Sequence, residues 1–114
     1  MPGAGSARAK LRGRAEFRRV IQGGSRAAGE LVAVYVLSSQ TETRTGFIAG
    51  RSIGGAVGRN KARRVMREAW RMVDLLIQPG TQVVLVARPG IRTARTPDVA
   101  SELRMLLRKV GVTE

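Results

Sequence analysis

Cysteine and histidine are both absent from the 114-residue chain. Without cysteine there are no disulfides, no thiolate metal ligands and no thiol nucleophile. Without histidine there is no imidazole for acid–base work, and the usual zinc-finger ligand sets are gone as well. Aromatic residues are scarce, with Phe17, Tyr35, Phe47 and Trp70 making up the whole set. No apolar run approaches the roughly 20 residues that a membrane span needs. The opening stretch MPGAGSARAK has no hydrophobic core of the kind a secretory signal carries, so the chain reads as cytoplasmic, with a disordered basic arm over residues 1–9. Acid is the remaining shortage. Glu16, Glu30, Glu42, Glu68, Asp74, Asp98, Glu102 and Glu114 form no spaced pair or cluster suited to a metal ion or an acid/base dyad. Ser52 has no base to activate it. The sequence therefore offers no catalytic residue and no metal site of its own.

What it has instead is positive charge. Lys and Arg number 21 against 8 acids, for a net charge of +13, and they fall 7, 8 and 6 into successive thirds of the chain. The charge thus belongs to the whole domain rather than to a tail, which is the electrostatic footprint of a nucleic-acid binder. The length suits one domain with a single modest core, spanning residues 10–114.

Apolar spacing gives the elements. Phe17, Val20 and Ile21 fall at i, i+3 and i+4, predicting a short helix over about 15–22. The Val-rich run at 31–37 and the run at 45–50 read as strands, the second weakened by its glycines. Residues 82–88 form a continuous apolar run, the pattern of a buried strand. Thr96-Pro97-Asp98 reads as a helix start, with Val99, Leu103, Leu106 and Val110 lining one face of a last helix. A further short strand over 25–28 is compatible with the pattern. The fold class is α+β, a single-domain α/β sandwich. It has one sheet of about four strands with three helices, in the order α-β-β-β-α-β-α.

The most informative stretch is GFIAGRSIGGAVGRNKARRVMREAWR, residues 46–71. At the helical period, Ala62, Val65, Met66, Ala69, Val73 and Leu76 gather on one side, and Asn60, Arg63, Arg64, Arg67 and Arg71 on the other. The spacing predicts a helix from about Ala56 to Ile77, opened by Gly54-Gly55 and closed by Pro79-Gly80. Six Lys or Arg residues between Arg59 and Arg71 face one acid, Glu68, which is expected to pair with the Arg face. Solvated helix faces normally mix signs, whereas a planar guanidinium binds phosphate in a bidentate manner and stacks on bases. The first-turn amides, free of intrahelical partners, add an anion site at the glycine-rich turn. That turn is not a Walker loop, because Arg59-Asn60 stands where Lys-Ser/Thr would have to follow the last glycine.

The run Gly54-x-Ala56-Val57-x-Arg59-Asn60-x-x-Arg63-Arg64-x-x-Arg67-Glu68 resembles the signature of the bacterial ribonuclease P protein family, in which an Arg-Asn-Arg motif opens a long basic helix. Collinear similarity covers about residues 10–110: Leu11, Glu16-Phe17, Gly23 or Gly24, Tyr35, Gly46-Phe47, and Val84 through Arg88-Pro89. The resemblance implies a subunit that joins a large catalytic RNA and promotes removal of the 5′ leader from precursor tRNA. The Mg2+ ions would be held mainly by that RNA, and the protein would not be catalytic alone. It implies that Arg59, Asn60, Lys61, Arg63, Arg64 and Arg67, with Arg71 continuing the face, contact the catalytic RNA. It also implies that the single-stranded leader lies between the first helix and the sheet, near Phe17, Ile21, Tyr35, Arg51 and Arg88. Such an apolar and basic groove suits stacked bases with paired phosphates.

Three positions depart from the family pattern. Lys61 stands where a second Arg is usual, Ile21 where an aromatic is usual, and Arg51-Ser52 replaces a basic pair. Weaker leader contacts with an intact grip on the large RNA are expected. From the residues alone Phe17 and Tyr35 read more readily as core than as ligand surface, and the resemblance makes the two readings even, while Trp70, at the edge of the apolar face, reads as packing. A ribosomal-type or general RNA-binding protein would share the charge and the missing catalytic groups; the collinear motif separates the two readings. A membrane-surface helix would need large apolar residues on its buried face, and this one carries mostly Ala, Val and Met. The expected partners are the catalytic RNA and precursor tRNA, with no membrane and no obligate protein partner.

Overall fold

Alternation along three strands gives the sheet two apolar faces, and each must be covered. In a computed structural model, which describes residues 10–38, 40, 42–74 and 77–112, helices cover both. The elements are α1 (Gly13–Gly23), β1 (Ser25–Ala28), β2 (Val32–Leu37), β3 (Arg44–Ile48), α2 (Ala56–Val73), β4 (Gln82–Ala87) and α3 (Thr96–Lys109). Short 3-10 helices at Arg51–Ile53 and Pro89–Thr93 follow β3 and β4. The expected α+β class and element order hold, and the extra strand is present as β1. The basic arm expected over residues 1–9, and Leu76 on the apolar face, lie outside the described residues.

The strand order is β1-β2-β4-β3. β4 sits between β2, which it pairs antiparallel with Tyr35 opposite Val84, and β3, which it pairs parallel with Gly46 opposite Val84. A strand flanked on both sides and covered on both faces needs the continuous apolar run that residues 83–87 supply. Val32, Val34, Val36, Val83 and Leu85 point to the face packed by α2 and α3, forming the main core with Met66, Trp70, Leu103 and Leu107. Trp70 is 2% exposed, which makes it a core residue. The other face carries Tyr35, Leu37, Ile48, Val84 and Val86, and α1 covers part of it through Val20, Phe17 and Ile21. Beyond β3 the sheet gains one further contact, a parallel bridge of Lys10 to Thr45 in which the Leu11 N–H donates to the Thr45 carbonyl at 2.9 Å.

Several boundaries differ from the periodicity for identifiable reasons. α2 ends at Val73, short of Ile77. The Ile77 N–H turns back to the Asp74 carbonyl and Gln78 donates to the Val112 carbonyl at 3.0 Å, so Ile77 is buried outside the helix. Pro79-Gly80 does not close the helix; it forms the turn into β4. There Gly80 adopts φ +81, its N–H reaches Thr43 Oγ1 at 2.7 Å, and a Cβ would lie 2.5 Å from the Gln40 carbonyl oxygen. β3 stops at Ile48 because the Gly50 carbonyl accepts from Ile53 in the following 3-10 turn. Thr96 is not the cap of α3. Arg95 takes that place, its N–H donating to Asp98 Oδ2 at 3.0 Å, while the Thr96 hydroxyl donates to Glu68 Oε1 at 2.9 Å. Glu68 thus ties α2 to α3, in place of the arginine pairing expected for it.

One anchor escaped the sequence reading. Glu102, reaching from α3, accepts from the backbone N–H groups of Glu30, Leu31 and Val32 at 3.1, 2.8 and 2.8 Å. A single carboxylate therefore satisfies the donors of the β1–β2 turn.

Candidate nucleic-acid interface

Burial of Ala62, Val65, Met66, Ala69, Trp70 and Val73 against the sheet fixes how α2 is rotated, and so where its cations stand. Arg59 and Arg63 are partly covered; Asn60, Lys61, Arg64, Arg67 and Arg71 are exposed. Arg63 Nη2 donates to Asn60 Oδ1 at 2.7 Å, which orients one guanidinium and leaves the rest of its fork for a partner. Steps of four residues bring Arg59, Arg63, Arg67 and Arg71 along one flank, while Lys61 lies on the opposite flank. The surroundings confirm the split. Arg63 and Arg67 border a concavity of about 180 Å³ with Lys10, Phe17, Gly46 and Phe47, whereas Lys61 borders one of about 220 Å³ with Ile53, Ile91 and Arg92.

The N-terminal turn of α2 is bare. Gly55 in the cap position has no side chain to satisfy the first amides, and a Cβ at Gly50, Gly54 or Gly55 would meet no protein atom. Gly54 has φ +133, a conformation that only glycine adopts without strain. Val57 in the first turn is 85% exposed, an apolar side chain held in solvent beside open glycine backbone. The geometry allows an external anion to approach this turn closely.

On the α1 side, Phe17 and Ile21 line a concavity of about 580 Å³ together with Arg14, Arg18, Phe47 and Ile48. Gly46 makes this arrangement possible, since a Cβ there would overlap the Phe17 ring. Tyr35 belongs to the same apolar cluster and is half-buried, but it does not line the concavity. Arg26 Nε donates to its hydroxyl at 3.0 Å, and the Arg26 guanidinium lies 5.6 Å from the ring centroid. Arg51 and Arg88 do not line this concavity. They open the two 3-10 turns, Arg88 with its N–H bound to the Leu31 carbonyl at 3.0 Å. The structure therefore brings Phe17, Ile21 and Tyr35 together and leaves Arg51 and Arg88 apart from them. Arg14, Arg18 and Lys10 were not legible as site residues, because their place depends on how α1 and the N-terminal segment dock.

Other cations of this side are committed internally. Arg19 Nη2 donates to Gln82 Oε1 at 3.1 Å. Arg44 bridges Glu42 and Glu16, 3.5 Å from Glu16 Oε1, and the hydrogen bond to Glu42 raises its pKa further above the ordinary arginine value. Among the described residues, no group of three or more acids is set to hold a metal ion. No helix among them is long and apolar enough to cross a membrane.

Comparison with known proteins bears on this geometry. The family model for ribonuclease P matches residues 6–111. The ribonuclease P protein component of Symbiobacterium thermophilum is 34% identical over 107 residues, covering 92% of this chain and 93% of the relative. That of Acidothermus cellulolyticus is 33% identical over 110 residues, covering 94% and 92%. Among solved structures, the ribonuclease P protein of Thermotoga maritima superposes with a TM-score of 0.74 at 26% identity, over 89% of this chain and 97% of that one. That of Staphylococcus aureus superposes with a TM-score of 0.77 at 22% identity, over 94% and 99%, a likeness of fold.

Proposed function

The chain belongs to the ribonuclease P protein family, and from that premise we propose how its two surfaces divide the work of removing the 5′ leader from precursor tRNA. Its role is that of a protein subunit of ribonuclease P, associated with the RNA of that enzyme and acting in the maturation of tRNA 5′ ends. In the proposed arrangement Arg59, Asn60, Lys61, Arg63, Arg64, Arg67 and Arg71 of α2 grip the catalytic RNA. The bare glycine turn admits its backbone. Phe17 and Ile21, with Tyr35 of the same apolar cluster, take the single-stranded leader in the α1 concavity, and Arg51 and Arg88 offer phosphate contacts further along.

One observation carries this reading: Arg63 and Arg67 of α2 border a hollow that shares Phe17 and Phe47 with the apolar concavity rimmed by Arg14 and Arg18. Apolar side chains between cations suit a flexible strand, whose bases stack while its phosphates are neutralised. In the same proposal the Mg2+ ions would be held mainly by the RNA, and the protein contributes binding and position without a catalytic side chain. The expected setting is the cytoplasm. A general RNA-binding protein would share the charge, but the family match extends over nearly the whole chain.

The test is cleavage of precursor tRNA by a bacterial ribonuclease P RNA at low magnesium, with and without this protein. Protein-dependent release of the leader is expected, with no cleavage by the protein alone. Replacing Arg63, Arg64 and Arg67 by Ala should flatten the dependence of log K on log[salt] for RNA binding by about 2 to 3 units. An unchanged slope would remove that face of α2 from the interface.

A further inference from the structure

The flank of α2 opposite the α1 concavity borders a hollow of its own. This space of about 220 Å³ lies between the start of α2 and the two 3-10 helices, and it shares no lining residue with the α1 concavity. The buried Ile53, Ala62, Val65 and Ile91 form its floor, and the exposed Lys61 and Arg92 stand at its rim. The second 3-10 helix fixes the backbone that carries Arg92. Ile91 donates to the Arg88 carbonyl at 2.9 Å, and Ala94 to the Ile91 carbonyl at 3.1 Å.

Gly58, in the first turn of α2, keeps the hollow open. Glycine weakens a helix, and a fold calls for it where φ is positive or another group comes too close for a Cβ. Neither applies to Gly58. Its φ is not positive, and a Cβ would meet only the Ile53 carbonyl oxygen, at an ordinary 3.5 Å. Packing within the protein therefore leaves this glycine unexplained, beside a space that a side chain could have filled.

We propose that the hollow receives one unpaired nucleotide of the catalytic RNA, its base on the aliphatic floor under the Arg92 guanidinium and its phosphate beside Lys61. The proposal deepens the reading of α2 as the grip on that RNA and rests on it. Size fits this occupant, because pockets for drug-sized ligands begin at about 300 Å³ and this one is smaller. Charge fits as well. None of the described residues lining the hollow is an acid, and Glu68, the acid of this flank, is engaged by the Thr96 hydroxyl. Among the described residues the ion pairs are those of Arg44 with Glu16 and Glu42, so Lys61 and Arg92 keep their charge for a partner. Splayed-out bases rest on apolar side chains or guanidinium planes while cations neutralise the strand. The site also continues the cationic surface of α2, so the same RNA reaches both.

The experiment measures binding of a bacterial ribonuclease P RNA by Gly58→Leu and Arg92→Ala variants, together with chemical probing of unpaired nucleotides in the complex. Gly58→Leu puts a side chain into the hollow while improving helix propensity. It should melt no lower than the unmodified protein yet bind the RNA roughly tenfold more weakly. Arg92→Ala should flatten the slope of log K against log[salt] by about 1 unit. One RNA nucleotide protected by the unmodified protein should become reactive with Gly58→Leu. Unchanged RNA affinity and protection in both variants would overturn the proposal, whether the hollow is then empty or serves an acidic peptide. A lowered preference for precursor over mature tRNA, with RNA affinity intact, would overturn it too, since the leader would then occupy the hollow. If the unmodified protein fails to stimulate cleavage, the broader functional reading fails. The hollow is then tested by titrating the free protein with AMP. The amide resonances of Gly58, Ile91 and Arg92 should shift saturably, and no movement there would sink the idea.

Discussion

The two faces of the sheet are built to different standards. The face under α2 and α3 gathers 22 buried side chains among the described residues, including Met66, Leu85, Leu103 and Leu107, all fully enclosed. The face under α1 gathers 3, Leu11, Val20 and Val84; it leaves Tyr35 half-covered, and Phe17, Ile21 and Ile48 half-covered around open space. An 11-residue helix is too short to roof a four-stranded sheet, so apolar side chains remain there in contact with solvent. The closed face provides the stability that lets the other stay open. Half-buried aromatics bordered by arginines are a liability in a purely structural surface and an asset in one that meets RNA.

This contrast can be broken at its strong side first. Leu85→Ala removes a fully buried side chain from the closed face and should cost about 2–5 kcal/mol, lowering the melting temperature by roughly 10 °C or more. A loss below about 1 kcal/mol would mean that the core repacks freely. At the seam, Glu102→Ala strips the β1–β2 turn of its acceptor. A cost of about 1–3 kcal/mol is expected, with faster hydrogen exchange at the amides of Glu30, Leu31 and Val32 as its local signature. Unchanged exchange would show that water replaces the carboxylate without penalty. On the open face, Ile21→Phe should leave stability nearly untouched, because the side chain looks into the concavity. It should tighten single-stranded RNA binding by about 1 kcal/mol, roughly fivefold, the lower range for stacking one base. Tighter binding confined to RNA with a leader would sharpen the distinction between the faces; destabilisation would erase it.

Much of the fold was legible because it repeats locally. The i, i+3, i+4 spacing of Phe17, Val20 and Ile21, the buried stripe of α2 and the apolar run of β4 each report on their own element. What was not legible depends on residues distant in sequence. The true end of α2 at Val73 follows from Gln78 pairing with Val112, and the displaced cap of α3 follows from Thr96 preferring Glu68. The candidate site divides in the same way. The cationic face of α2 was written in its period, and Phe17 and Ile21 in theirs. The division of that face between two flanks, the rim of Arg14 and Arg18, and the place of Lys10 against Thr45 appear only once the elements dock.

The strand order has a consequence for how the protein comes into being. β2 and β3 do not pair with each other; both pair with β4, which is made after α2. During synthesis the basic helix therefore leaves the ribosome before the strand that completes the sheet beneath it. Pairing so distant in sequence is slow to close, and it comes late in translation. Until Gln82 to Ala87 emerge, the apolar stripe of α2 has only a partial surface to rest on. A chain cut short before Gln82 keeps every cation of that helix and loses the platform that aims them.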